Sequence, residues 1–210
     1  MTAIHESKII FNRANNQKKL KISPVLFLDR DGVIIEDLHY IKEPDKVKLC
    51  IGAKKLIRFA FEKNIPVIII TNQSGISKNL LTWEDYYCVT KAMLRKLGTP
   101  NPISAIYANS YVNDLPKENW RKPNPTMIFK ALEDLSLNND NSILIGDRKS
   151  DIITGIRAGI NNLFHVKTGH GKRESQELKR NLENNLLDLN KSNLKFINNL
   201  TEIPLNIFKR

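Results

Sequence analysis

Short unbroken apolar runs alternate along this chain with stretches in which apolar residues recur every three or four positions. Val25-Leu26-Phe27-Leu28 and Val67 to Ile70 are runs of the first kind, the pattern of strands buried on both faces of a parallel sheet. Between them Ala53, Leu56, Ile57, Ala60 and Phe61 follow an i, i+3, i+4, i+7, i+8 spacing. That spacing predicts an amphipathic helix whose apolar stripe covers the sheet, ending near Asn64. Thr82-Trp83-Glu84-Asp85 reads as a capping box opening a second helix, with Tyr86, Thr90, Met93, Leu94 and Leu97 inward and Gly98-Thr99-Pro100 as its breaker. Ser104 to Ala108 reads as a third strand and Asn109 to Pro123 as irregular. Asn124-Pro125 fits an N-cap with proline at the first helical position, before Ile128, Ala131, Leu132 and Leu135 on one face. Ser142 to Ile145 predicts a fourth strand, Ser150 to Ala158 a helix, and Leu163 to Val166 a further strand. Such alternation points to an α/β fold, Rossmann-like and doubly wound around a mainly parallel sheet.

Before this pattern begins, residues 1–23 are rich in Asn and Lys and lack periodicity, so they are expected to form a flexible basic leader, with one domain over 24–210. The net charge of +11 raises the question of a nucleic-acid partner, but it divides as +4 in residues 1–24, +4 in 167–210 and only +3 across 25–166. The excess therefore reads as solvated ends, and nucleic acid is not the expected partner. The longest apolar run, Pro66 to Ile70, is far short of the ~18–20 residues a membrane helix needs, and Met1 to Leu20 has no signal-peptide core. A cytoplasmic monomer is expected. The two cysteines, Cys50 and Cys88, make a disulfide framework or a thiolate metal centre improbable on composition.

In open α/β sheets ligands bind beyond the carboxyl ends of the strands, so the residues after each run carry the functional argument. After the first strand comes Asp29-Arg30-Asp31-Gly32, after the second Thr71-Asn72-Gln73-Ser74-Gly75, after the fourth Gly146-Asp147-Arg148-Lys149-Ser150-Asp151. Two aspartates two residues apart can approach one metal ion if the chain bends at Gly32, or can form no more than an Asp-Gly turn. The Thr-Asn-Gln-Ser-Gly segment fits a phosphate-binding nest and equally an ordinary loop. Asp147 suits a hard cation or a helix N-terminus, and Asp151 suits a capping or supporting role. Arg121 and Lys122 stand where a cation reaches the same sheet edge.

Taken in order, Phe-Leu-Asp29-Arg-Asp31-Gly-Val, Ile-Thr71-Asn-Gln-Ser-Gly-Ile, Arg121-Lys122-Pro and Ile-Gly-Asp147 resemble the haloacid dehalogenase phosphatases from about Val25 to Val166. Within them the chain is most similar to the heptose 1,7-bisphosphate phosphatases and the histidinol-phosphate phosphatases. The resemblance implies a magnesium-dependent phosphatase acting on a small phosphorylated metabolite, with a place in carbohydrate metabolism and lipopolysaccharide precursor synthesis. It implies Asp29 as nucleophile and Asp31 as general acid and base. Thr71, Asn72 and Lys122 would bind the phosphoryl group, and Mg²⁺ would be held by Asp29, the Asp31 backbone carbonyl and Asp147. Asp37, His39, Tyr40, Gln73, Ser74, Arg121 and Arg148 fall where these families contact substrate.

The chain also departs from the pattern. Relatives carry a Cys/His zinc loop before the Arg-Lys-Pro motif, whereas residues 107–122 contain neither residue type, so no zinc is expected there. Arg148 stands where the heptose enzymes tend to have Lys, and His39 lies one position from the usual Gly of the substrate loop. No large cap domain is expected, because the connections from Asp31 to Ala53 and from Thr71 to Thr82 are too short to hold one. A polynucleotide 3′-phosphatase is the rival enzyme reading. A non-catalytic binding module would be signalled by loss of Asp29, Asp31, Lys122 or Asp147, all of which are present.

Overall fold

A computed structural model describes residues 6–11, 24–112 and 119–208. Seven strands form one sheet in the order β1-β4-β3-β2-β5-β6-β7: β1 Glu6–Ile10, β2 Leu26–Leu28, β3 Val67–Asn72, β4 Ala105–Asn109, β5 Ile143–Gly146, β6 Asn162–Val166 and β7 Asn193–Ile197. All neighbours pair in parallel except β1 with β4.

The period-two alternation of buried strands explains the two layers. Leu26, Leu28, Val67, Ile69, Ile143 and Ile145 join one apolar cluster, while Phe27, Ile68, Ile70 and Leu144 join another. The first is covered by α1 (Ala53–Glu62) through Ala53, Leu56, Ile57 and Ala60, and by α3 (Trp83–Leu97) through Val89, Ala92, Met93 and Leu97. A four-residue α2 (Ser74–Ser77) precedes α3. The second cluster is covered by α4 (Thr126–Asp134), α5 (Lys149–Arg157) and α6 (Gly171–Glu183). Thr82 caps α3 as its sequence predicts: its hydroxyl accepts from the Asp85 amide at 3.1 Å and its amide donates to Asp85 Oδ2 at 2.8 Å. The α/β, mainly parallel architecture thus agrees with the apolar pattern, and no inserted cap interrupts it among the described residues.

Two expectations are corrected. Residues 6–10, assigned to the leader, form β1, in register from Glu6 opposite Asn109 to Ile10 opposite Ala105. Backbone pairing holds this strand, together with Ile9 packed against the first cluster and a 3.1 Å ion pair from Lys8 to Asp134. The rest of the leader, 1–5 and 12–23, lies outside the described residues. The N-cap of α4 is Pro125, not Asn124; the Asn124 side chain instead accepts from the Thr126 hydroxyl at 2.9 Å.

Strand β2 is the point where chain order reverses, with β3 on one side and β5 on the other. The carboxyl ends of these three strands carry the residues that concern function.

Candidate active site

Directly after β2 the chain turns at Arg30 to Ile35, where the amides of Ile34 and Ile35 donate to the Arg30 carbonyl at 2.9 and 3.0 Å. Gly32 sits at φ +81° within this turn, and a Cβ there would stand 2.5 Å from Asp147 Oδ2. Lack of a side chain at Gly32 is what lets the loop after β5 close on the loop after β2.

Asp29, Asp147 and Asp151 are all buried, and their carboxylate oxygens lie within 4.8 Å of one another. One cation faces them: Lys122 Nζ is 2.9 Å from Asp29 Oδ1 and 2.6 Å from Asp151 Oδ1, and it donates to the Ile70 carbonyl at 3.0 Å. Burial alone would lower the Lys122 pKa, but Asp151 and Asp29 beside it hold it above its ordinary value. Burial raises the Asp29 carboxyl to about 6 against the opposing pull of Lys122, with Asp151 and Asp31 adding to the rise. Asp147 is pushed to about 9 by burial and then by the charges of Asp29 and Asp151.

The same group of acids fits a hard cation. Asp147 Oδ2 accepts the His170 amide at 2.7 Å, yet its buried Oδ1 has no hydrogen-bond partner. A buried carboxylate oxygen with no donor, beside a second carboxylate, offers the oxygen ligands that Mg²⁺ takes.

Above this floor lies a cleft of about 740 Å³ lined by Asp29, Asp31, Lys122 and loop residues from several strand ends. Asp37, His39, Tyr40, Asn72, Gln73, Ser74, Arg121 and Arg148 all face it, so the structure gathers the expected substrate contacts around one opening. Thr71 and Asp147 lie just behind its wall, 1% and 0% exposed.

The chain has relatives of known name. A family model described as HAD-hydrolase-like matches residues 119–189. The D-glycero-alpha-D-manno-heptose-1,7-bisphosphate 7-phosphatase of Photorhabdus laumondii is 37% identical over 180 residues, covering 80% of this chain and 94% of that protein. The chain belongs to the haloacid dehalogenase-like phosphatases. The phosphatase of the same name from Campylobacter jejuni is 34% identical over 159 residues, covering 73% of this chain and 91% of that protein. Among solved structures, a HAD-like phosphatase from Mesorhizobium loti superposes with a TM-score of 0.71 at 29% identity, covering 80% of this chain and 82% of that one. The D,D-heptose 1,7-bisphosphate phosphatase of B. bronchiseptica, solved with magnesium and phosphate, has the same fold, with a TM-score of 0.68 at 23% identity and coverage of 82% and 92%.

Within this phosphatase several side chains are engaged otherwise than their motifs suggest. Asn72 Oδ1 accepts the Lys122 amide at 3.0 Å and Nδ2 donates to the Lys122 carbonyl at 3.1 Å. Its amide therefore ties the Lys122 segment to the end of β3, with one Nδ2 proton not engaged by these two bonds. Gln73, expected to touch substrate, is 5% exposed, and its amide is engaged with Asp31, Thr71 and Arg30. All three Lys122 ammonium protons face Asp29, Asp151 and Ile70, so a phosphoryl contact would have to share one of them. Asp151 supports the site: its Oδ2 accepts the Arg148 amide at 3.0 Å at the start of α5 while Oδ1 holds Lys122.

Motif reading also missed residues. His170 follows β6, where the strand-end rule applies as it does after β2, β3 and β5; its Nε2 is 3.0 Å from Asp37 Oδ2, joining the substrate loop to the Asp147 loop. Lys78 donates to the Tyr40 hydroxyl at 3.0 Å on the opposite rim. Arg30 stands between two aspartates in a motif that carries the family resemblance, and that flanking by two acids is the signal of its place in the site.

Proposed function

We propose that this phosphatase removes one phosphate from a small sugar bisphosphate, heptose 1,7-bisphosphate for preference, through an aspartyl-phosphate on Asp29. The observation that carries the reading is Asp29 itself, at the end of the central strand, on the floor of the cleft and paired at 2.9 Å with a buried lysine. Lys122 holds Asp29 in its anionic, nucleophilic form. An Asp29 oxygen attacks phosphorus, the bond to the leaving oxygen breaks, and that oxygen takes a proton from Asp31. Asp31 then removes a proton from water, which attacks the aspartyl-phosphate and releases inorganic phosphate with Asp29 restored. Thr71 and the remaining Asn72 amide proton serve the phosphoryl oxygens. Asp29, Asp147 and the Asp31 backbone carbonyl are the groups that would hold Mg²⁺, which when bound neutralises phosphoryl charge and favours in-line transfer. No role falls to zinc in the loop before Arg121, which lacks thiolate and imidazole.

The substrate class is supported by the rim and by the relatives' names. Arg121, Arg148 and Lys78 ring the cleft and suit a second phosphate, while Asp37 suits sugar hydroxyls. Apart from histidine, Tyr40 is the one aromatic residue among the described lining residues, whereas a nucleic-acid strand is held by successive stacking aromatics in a basic groove. The test is a phosphate-release screen with Mg²⁺ over both anomers of heptose 1,7-bisphosphate, histidinol phosphate and a 3′-phosphorylated oligonucleotide. Measurement at about 50 and about 200 mM salt separates a polyanion substrate, whose binding can fall ~10³-fold over that range. A faster and strongly salt-sensitive reaction on the oligonucleotide would sink the sugar-phosphate reading.

A further inference from the structure

Asp31 is held by a buried polar clamp that has no place in the catalytic scheme above. The Arg30 guanidinium donates from Nε to Asp31 Oδ2 and from Nη2 to Asp31 Oδ1, both at 3.1 Å. Gln73 Nε2 donates to the same Oδ2 at 2.8 Å, and Gln73 Oε1 accepts from Arg30 Nη2 at 3.0 Å. Three side chains thus close a ring around one carboxylate. The ring is anchored from below, since Arg30 is 2% exposed and its guanidinium carbon lies 4.9 Å from the centroid of the buried Tyr86 ring on α3. A guanidinium so enclosed cannot follow the carboxylate into the cleft, and a carboxylate that left it would strand a buried cation.

The two Asp31 oxygens are not equivalent. Oδ2 accepts from Arg30 and Gln73 together, while Oδ1 accepts only from Arg30 Nη2. A carboxylate oxygen has two in-plane lone pairs, so Oδ1 alone retains an open one. Asp31 is 24% exposed and lines the cleft. The clamp also reaches the phosphoryl side: Gln73 Nε2 donates to Thr71 Oγ1 at 2.8 Å. With its oxygen accepting that bond, the Thr71 hydroxyl proton is left for an outside acceptor.

We propose that Arg30 and Gln73 are positioning residues that fix Asp31 so that Oδ1 alone exchanges the proton, while Gln73 sets the polarity of the Thr71 hydroxyl. In the first step the leaving oxygen takes the Oδ1 proton as its bond to phosphorus breaks; in the second Oδ1 takes the proton from the attacking water. The clamp supplies preorganisation, which matters only where proton transfer limits the rate. This inference rests on the reading of Asp31 as general acid, and the test separates the two.

Arg30→Met, Gln73→Met and Asp31→Asn are compared on the sugar bisphosphate, whose alkoxide leaving group needs a proton, and on p-nitrophenyl phosphate, whose phenolate scarcely does. General acid catalysis contributes about 10²–10⁴-fold, so each clamp variant should lose about 10-fold or more in the single-turnover rate of leaving-group release from the sugar bisphosphate. On the aryl phosphate that rate should change by less than about 3-fold; kcat is not the readout, because hydrolysis of the shared aspartyl-phosphate also needs Asp31, and Gln73→Met should in addition weaken binding of both substrates alike by freeing the Thr71 hydroxyl. Asp31→Asn should show the same dependence on leaving group, more strongly. If Asp31→Asn slows single-turnover leaving-group release from both substrates alike, the general-acid assignment and the clamp fall together. If Asp31→Asn discriminates but a clamp variant with wild-type circular dichroism does not, the clamp alone is overturned. Gln73→Met carries no change of charge and keeps the question open to test should Arg30→Met fail to fold.

Discussion

Replacing Lys122 by Met keeps the aliphatic stem and removes the only cation within ion-pair distance of Asp29 and Asp151 among the described residues. All three side chains are at most 9% exposed, so water cannot take over the lost role. Removing one partner from a buried ion pair costs about 3–5 kcal/mol, because the remaining charge is left unneutralised. For a chain of this size each kcal/mol lowers Tm by about 2–4 °C, which gives a loss of roughly 6–20 °C at pH 8 with EDTA present. The pH dependence follows from the acids left behind. Asp29 and Asp147 already have raised folded pKa values, about 6 and about 9, and losing Lys122 can only raise Asp29 further. A raised carboxyl contributes stability below its unfolded pKa, near 3.8, and loses it as pH climbs through the folded value. The variant should therefore lie closest to the wild type near pH 4–5 and fall away toward pH 8. Activity should drop by about 10²–10³-fold, the usual result of deleting one buried electrostatic partner of a reacting group. Differential scanning fluorimetry from pH 4 to 9, beside phosphate release, is the assay. A Tm at pH 8 within about 2 °C of the wild type would refute the view that Lys122 neutralises this cluster.

Asp29→Asn should abolish turnover with Mg²⁺ while circular dichroism stays unchanged, since the amide removes the nucleophilic oxygen at almost constant volume; wild-type kcat would remove Asp29 from the mechanism. In the wild type the Tm gained on adding Mg²⁺ to EDTA-treated protein should be greater at pH 8 than at pH 5, because protons and metal compete for Asp29 and Asp147; an equal gain at both would contradict that competition. Gly32→Ala should destabilise by about 1–3 kcal/mol and weaken Mg²⁺ binding, as the backbone is at φ +81° and the new Cβ would meet Asp147 Oδ2 at 2.5 Å; titration calorimetry with unaltered Mg²⁺ affinity would argue against it. Elemental analysis of purified protein should find no stoichiometric zinc, because residues 107–122 offer it no sulfur or imidazole; one tightly held zinc per chain would defeat this.

The elements legible in the sequence were those whose burial leaves a period. Strands β2, β3 and β5 are apolar on both faces, and α1 and α3 carry clear stripes, so their placement follows from pattern alone. Elements held by other means left little trace. Strand β1 has Ser7 as its one buried residue and is fixed by backbone pairing at the sheet edge. Helix α6 buries only Gly171, Ser175 and Leu178, too few apolar positions to be visible among its charges. Strand β7 only half-buries Leu194 and Phe196 between exposed residues and buries Ile197 alone, too weak an alternation to stand out in a polar stretch. At the site, the rule that ligands gather at strand ends located Asp29, Thr71 and Asp147. It could not say that Asn72 would bind the Lys122 backbone or that Gln73 would turn inward to Asp31, because both depend on which side chain reaches which after the loops have packed.

The polar groups around the cleft divide into two sets with different charge balance. Asp29 and Asp151 share one ammonium, and Asp147 beside them has one oxygen without a donor among the described residues. That set is electrostatically incomplete, and a divalent cation would complete it; folding stability and metal affinity are coupled there, since each buried acid that resists ionisation in the metal-free fold must give up its proton to solvent when a metal binds. Asp31 is already matched by Arg30, with Gln73 closing the ring. In that set the carboxylate charge is offset without a metal, although it still adds to the rise at Asp29. Of the rim residues, Arg148 borders the first set: its amide donates to Asp151 Oδ2 at 3.0 Å and its charge opposes the rise at Asp147, so the departure of this chain at Arg148 touches the acids as well as the opening of the cleft.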